Sequence, residues 1–393
     1  MIGISKLFCG TIEPSDVLRY GRLSGDLPSH LLQFSKDKKP VVVWNVTRAC
    51  NLNCIHCYAR AVRNRNDTEL TFEQGLDLID DLAAFGVPVI LFSGGEPLMH
   101  PDLVKLASHA VKSGLRAVIS TNGTLITEQK AAELKEIGLS YVGISLDGME
   151  QVNDYFRGRT GAFQDALRGI KNCQAAGLKV GLRFTINKIN AAEIPDIFDL
   201  LEEYNIPRVC FYHLVYSGRG SDLVDQDLDH TETRRAVDLI IDRTKDLHDR
   251  GRPVEVLTVD NHADGPYLYL RMSGENNPRA EEVLELLKMN EGNNSGKGFG
   301  CINWDGSVYA DQFWRHYSFG NILDRPFSAI WADISNPLMA KLKEKKKHVK
   351  GRCSKCRWLD VCGGNFRVRA EAVTNDIWAP DPACYLTDEE ITA

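Results

Sequence analysis

From residue 40 onward the chain alternates between two rhythms of apolar and polar positions. Short runs rich in β-branched and aromatic residues, at 40–46, 87–92, 117–121, 141–146, 179–186 and 209–214, have the length of strands. Between them, at 72–85, 102–113, 128–137, 163–176 and 194–204, apolar residues recur at the spacing of amphipathic helices. Strands and helices in strict turn predict parallel pairing through right-handed crossovers. Six such units are too few to close an eight-stranded barrel. The expected fold is α/β, a partial (β/α)6 TIM-like barrel over 40–220 followed by a small C-terminal domain. The active site is expected at the C-terminal ends of the strands.

Outside this core the rhythm fails. Residues 1–39 read as a polar N-terminal extension, and 221–297 as a bridging region with a helix near 233–250 and a short strand at 254–259. That region ends in a Gly/Asn-rich stretch, 290–300, with the composition of a linker. Residues 298–393 lack long periodic segments and are rich in cysteine, the mark of a small domain stabilised by metal.

Composition narrows the class. A formal net charge of -6 argues against a nucleic-acid partner, whose binding surface would be basic. No apolar stretch has the length of a membrane span, so a cytoplasmic protein without a membrane partner is expected. Eleven cysteines in such a chain point to metal ligands or catalysis rather than disulfides. Cys9, Cys173, Cys210 and Cys301 are scattered; the others form two groups.

The first group, Cys50, Cys54 and Cys57, has the spacing C-x3-C-x2-C and follows the first predicted strand directly. Three thiolates on one short loop can hold three irons of a [4Fe–4S] cube and leave the fourth open. Zinc would want a fourth Cys or His at finger or ribbon spacing, and His56, wedged between two ligands, is badly placed to share their metal. With Tyr58 next to the third cysteine, the segment resembles the radical S-adenosylmethionine (SAM) enzymes, and the resemblance extends from residue 40 to about 215.

That resemblance implies that the open iron chelates the amino and carboxylate groups of SAM, with Tyr58 against adenine. It also assigns roles at successive strand ends. Gly94-Gly95-Glu96-Pro97 matches the family's GGEP motif; the glycines would let backbone approach the ligand, and Glu96 would accept from the SAM ammonium. Ser120 and Asn122 would bond the ribose, Ser145 and Asp147 end the fourth strand, and Arg183 would meet the SAM carboxylate.

The second group, Cys353, Cys356, Cys362 and Cys384, resembles the SPASM/twitch auxiliary-cluster domain that follows many radical SAM barrels. Zinc is the rival on spacing alone. The fuller form of that domain holds two auxiliary clusters, but here Phe366 and Asp311 stand where further cysteines are expected. One auxiliary [4Fe–4S] cluster is therefore expected, two clusters in all, with Cys301 either a leftover or a substitute ligand. The lysines of 341–350 read as a solvated face or as a docking patch for a low-potential electron donor such as ferredoxin or flavodoxin.

Substrate enters through flanking segments. Residues 1–7 and 14–22, Ser217-Gly218-Arg219-Gly220 and the stretch 258–265 resemble radical SAM enzymes acting on sirohaem-derived tetrapyrroles. Members of that group remove two acetate side chains from didecarboxysiroheme to give iron-coproporphyrin III. Relatives in haem d1 synthesis and peptide-modifying maturases are the alternatives. A substrate with several carboxylates calls for arginines, which pair with them bidentately; Arg19, Arg22, Arg157, Arg159, Arg219 and Arg315 are the candidates. His213, His262 and His316 are candidate ligands to a substrate iron.

Overall fold

The computed structural model describes residues 1–12, 16, 39–65 and 68–392. Among them eleven strands form one open sheet: β1 (Ile2–Gly3), β2 (Val41–Thr47), β3 (Val89–Gly94), β4 (Arg116–Thr121), β5 (Tyr141–Ser145), β6 (Val180–Ile186), β7 (Arg208–His213), β8 (Glu255–Val259), β9 (Phe299–Ile302), β10 (Ser307–Tyr309) and β11 (Gly320–Asn321). Their order is β1-β8-β7-β6-β5-β4-β3-β2-β9-β10-β11. The six strands of the predicted barrel are present, in sequence order and parallel.

Local chemistry accounts for the alternation. Strand interiors such as Val42-Val43-Trp44 and Val89-Ile90-Leu91-Phe92 suit a parallel sheet covered on both faces. Thr71 and Gln74 close a capping box on the helix Phe72–Phe85, which stops at Gly86 in the left-handed conformation. On the outer face Phe211 stacks on Phe198 at 5.5 Å and meets Phe184 edge-on at 5.7 Å, locking a helix onto β6 and β7.

Three expectations are corrected. The first residues are no polar appendage: Ile2 and Gly3 pair antiparallel with β8, and the buried helix Ile4–Cys9 follows them. The bridging region has its expected helix, His230–Asp249, and its expected strand, β8, but β8 joins the barrel sheet as a seventh parallel strand beside β7, and two further helices follow, Asp264–Gly274 and Ala280–Asn290. The stretch 290–300 is packed rather than a linker. Gly292 lies so close to the Cys362 carbonyl that a Cβ would come within 2.2 Å of its oxygen, and Asn293 N–H donates to that carbonyl at 3.0 Å. β9 then pairs parallel with β2, so the cysteine-rich region begins inside the barrel sheet.

The lysine run is mostly engaged. Buried Lys345 donates to Asn293, Lys343 donates to the Trp331 carbonyl, and Lys346, Lys347 and Lys350 pair with Asp360, Glu344 and Asp376. Among the described residues no helix is long and apolar enough to cross a membrane.

A buried ion pair clamps the C-terminal region over the barrel rim. Arg369, fully enclosed, donates from Nε and Nη2 to the two oxygens of Asp381 at 2.9 Å. Its remaining donors reach the carbonyls of Leu214 and Asp260, just beyond β7 and β8, at 2.9 and 2.7 Å. Arg369→Met would strand the Asp381 carboxylate in the interior and is expected to cost about 3–5 kcal/mol in urea unfolding. Arg250→Met, on an exposed pair with Glu202, should leave the urea midpoint close to the parent's, because water screens such a pair.

Candidate active site

The cysteine loop leaves the end of β2 and is pinned on every side by backbone. Gly95 N–H donates to the Thr47 carbonyl at 2.8 Å and Glu96 N–H to the Ala49 carbonyl at 2.7 Å. A Cβ on Gly95 would lie 2.2 Å from Ala49 O, and one on Gly94, at φ +122°, 2.4 Å from Thr47 O. The two glycines therefore make room for the cysteine loop as well as for a ligand. Further along, Asn53 and Ile55 N–H donate to the carbonyls of Arg157 and Phe156, and Arg219 N–H donates to the Cys57 carbonyl at 3.0 Å. Gly218, at φ +61°, packs so tightly on this loop that a Cβ would meet Tyr58 O at 2.3 Å.

These contacts present Cys50, Cys54, Cys57 and Tyr58 to a cavity at the C-terminal strand ends. Gly94, Gly95, Ser120, Asn122, Ser145, Asp147 and Arg183 line the same cavity, as the order of strand ends predicts. The Tyr58 hydroxyl is hydrogen-bonded to Asn45 Oδ1 at 3.0 Å and Ser93 Oγ at 2.9 Å, and its ring meets Phe313 edge-on at 5.3 Å. Asn122 Nδ2 donates to Asn51 Oδ1 at 2.8 Å and points at Cys50 Sγ from 3.9 Å. Arg183 is half-buried, with its guanidinium over the Tyr212 ring at 4.7 Å.

Glu96 departs from expectation. It is wholly buried and outside the cavity wall; Oε1 accepts from Thr121 Oγ1 and Leu98 N–H, and Oε2 from Asn122 N–H. Its carboxylate ties the end of β3 to the end of β4.

The substrate candidates also sort differently. Arg19 and Arg22 lie outside the described residues. Arg219 lines the cavity, yet its Nε donates to the Cys54 carbonyl at 2.7 Å and its Nη1 to the Ala61 carbonyl at 3.3 Å. Arg315 donates to the carbonyls of Tyr58 and Ala59. Both arginines staple the cysteine loop. Arg157 is paired with Asp147, and Arg159 with Asp165. His262 is buried and not in the cavity wall, with Nε2 3.1 Å from the Met1 amino group; His316 is exposed against Glu371. His213 reaches the cavity wall from the end of β7 while its Nε2 is bonded to Asp264 at 2.9 Å.

Sequence reasoning missed Tyr212, Asp260 and Phe313 in the wall. The alternation of β7 offered a signal for Tyr212, which shares a face with Cys210. Asp260 follows β8 with φ +67° and keeps Oδ2 buried without a hydrogen bond. Burial pushes its carboxyl up to about 6. Nothing in the sequence marked Phe313.

The three thiols fit an iron–sulfur cluster. Burial, followed by the nearby Glu96, pushes Cys50 up to about 12, and burial raises Cys54 despite Arg157 beside it. Such sulfurs take their thiolate form on binding metal. N–H donors already face them, with Leu52 N–H 3.4 Å from Cys50 Sγ. Cys353, Cys356, Cys362 and Cys384 surround a second, apolar cavity with Ala263, Leu359, Leu386 and Ile391. Trp358 and Gly364 N–H donate to Cys356 and Cys362 at 3.4 Å. Among the described residues no three Cys, His, Asp or Glu side chains close on a point that would hold one metal ion. Cys301 sits elsewhere, against Val43, Tyr309 and Asn45, and the Phe366 ring is edge-on to Phe313 at 5.6 Å. Asp311 accepts from the backbone N–H groups of Phe313 and Trp314.

Comparison with known proteins agrees with this geometry. Residues 44–201 match the radical SAM superfamily and 296–357 an iron–sulfur cluster-binding domain. The chain belongs to the radical SAM superfamily, whose enzymes work with a [4Fe–4S] cluster and SAM, and it carries the additional cluster-binding domain. It is 67% identical, over all of its own length and 99% of the relative's, to the Fe-coproporphyrin III synthase of Methanosarcina barkeri (strain Fusaro / DSM 804). It is 43% identical, over 90% of its length and 87% of the relative's, to the pre-heme d1 synthase of Dinoroseobacter shibae (strain DSM 16493 / NCIMB 14021 / DFL 12). Its fold matches Streptococcus suis SuiB bound to S-adenosylmethionine with a TM-score of 0.69 at 19% identity, covering 97% of this chain and 89% of that one.

Two outcomes follow. Gly95→Ala should displace the cysteine loop and remove about half of the bound iron, leaving the second cluster's share, as read by iron and sulfide assay. Asp260→Asn should alter the pH dependence of stability. The folded carboxyl keeps its proton up to about pH 6 whereas the unfolded one releases it near 3.8, so stability falls as pH rises through that window. The asparagine variant should lack that fall, melting higher than the parent at pH 7.5 and alike at pH 3.5.

Proposed function

We propose that the chain removes acetate side chains from didecarboxysiroheme to give iron-coproporphyrin III. The observation that carries this reading is the 67% identity, end to end, with an enzyme named for making that product. The 43% identity with a pre-heme d1 synthase supports the wider class, side-chain chemistry on a sirohaem-derived tetrapyrrole. When bound, the reduced cluster and SAM supply a 5′-deoxyadenosyl radical that takes a hydrogen atom from the substrate.

The chain's own residues shape the place where this happens. Ser120, Asn122, Ser145 and Arg183 offer polar groups at consecutive strand ends, and Tyr58 and Phe313 offer flat apolar surface beside the cysteines. Such a wall suits a ligand with both ring faces and charged edges. We assign Cys50, Cys54 and Cys57 to the first cluster and Cys353, Cys356, Cys362 and Cys384 to one auxiliary cluster. A low-potential donor such as ferredoxin or flavodoxin would supply the electron.

Anaerobic reconstitution with SAM, reductant and didecarboxysiroheme tests this directly. Deoxyadenosine should accumulate while the pigment spectrum shifts to that of an iron porphyrin and acetate is released. Deoxyadenosine without acetate, or loss of propionate in its place, would overturn the substrate assignment in favour of other tetrapyrrole chemistry. Cys384→Ala should abolish the second cluster's EPR signal and leave the first.

A further inference from the structure

Arg157 ends the helix Glu150–Arg157 and turns its guanidinium under the cysteine loop. One terminal nitrogen donates to Asp147 Oδ2, and the other, Nη1, donates to Cys54 Sγ at 3.6 Å. The residue is 5% exposed, so water screens little of its charge. Asp147 is itself held, with Oδ1 accepting from Thr185 N–H at 2.6 Å and Oδ2 3.3 Å from His56 Nε2.

The helix end is equally fixed. The carbonyls of Phe156 and Arg157 accept from the loop's Ile55 and Asn53 N–H groups at 2.9 and 3.2 Å. Gly158, at φ +63°, lies where a Cβ would come within 2.8 Å of Asn53 O. A guanidinium is thus aimed at one sulfur by an anchored acid on one side and an anchored backbone on the other. Cys50, by contrast, receives only neutral donors among the described residues, from Leu52 and Asn122.

We propose that Arg157 is a positioning residue that raises the reduction potential of the first cluster through a charged N–H···S hydrogen bond to Cys54. A donor to a ligating sulfur withdraws electron density, and a buried positive charge favours the more negative, reduced cluster. Asp147 opposes this, but it is bound at the guanidinium's other terminal nitrogen, and the donor that reaches the Cys54 sulfur belongs to Arg157. The inference rests on Cys50, Cys54 and Cys57 holding the first cluster.

The test is an EPR-monitored redox titration of both clusters in the reconstituted full chain, comparing the parent with Arg157→Gln and Arg157→Lys. In Arg157→Gln the reduced-to-oxidised ratio of the first cluster at a fixed poise should fall about tenfold, equivalent to about 59 mV for one electron. The second cluster should not move. Arg157→Lys keeps the charge without the two-pronged geometry and should shift less. An unmoved first cluster at full iron content, or equal shifts in both clusters, would overturn the proposal. If Arg157→Gln cannot hold the first cluster, Arg157→Met decides, because a parental potential there at full iron content overturns it as well. A parent without a first cluster would instead overturn the site assignment beneath it.

Discussion

The site depends on a close approach of backbone to backbone. The loop after β2 must project three cysteines into a cavity, yet a loop cannot hold three thiols in place by propensity alone. It is held because the carbonyls of Thr47 and Ala49 accept from the turn after β3, where Gly94 and Gly95 carry no side chain to keep them apart. The Gly218 backbone presses from a third direction, on the Tyr58 carbonyl. Arginines finish the work: Arg219 and Arg315 bond carbonyls between Cys54 and Ala61. Rigidity of this kind is what a metal centre needs, since its ligands must be in place before the metal can define a geometry.

The same logic unites the two parts of the chain. β9 extends the barrel sheet beyond β2, and Arg369 anchors the C-terminal region to the rim carbonyls of Leu214 and Asp260. The position where a fuller auxiliary domain would have a cysteine is occupied by Phe366. Its ring rests on Phe313, which in turn meets Tyr58. An apolar seam therefore runs from the wall of the first cavity into the C-terminal domain.

Much of this was legible in the linear chain. Strand and helix rhythm predicted six parallel units, because buried parallel strands and amphipathic helices leave distinct periodicities. The cysteine spacings and the order of Ser120, Asn122, Ser145 and Arg183 at strand ends were equally readable, since a parallel sheet puts all those ends on one rim. The N-terminal strand was not, being only Ile2–Gly3 and defined wholly by its pairing with β8. The 290–300 stretch misled because its Gly and Asn residues serve tight packing against Cys362 as readily as they serve a linker.

By itself, then, the sequence determined the fold class, the two sets of thiols and the family to which they belong. The fold class and the thiol sets rest on periodicity and spacing, both properties of neighbouring residues, and the family on the resemblance carried by the motifs at 50–58 and 94–97. Only the tertiary structure decided which polar side chains face the cavity and which brace it. Glu96 was expected against a ligand and instead ties two strand ends together; Arg219 and Arg315 were expected to seek carboxylates and instead bond the carbonyls of the cysteine loop. The physical reason is hydrogen-bond satisfaction. A buried charge takes the nearest partner the folded backbone presents, and that partner lies far away along the chain.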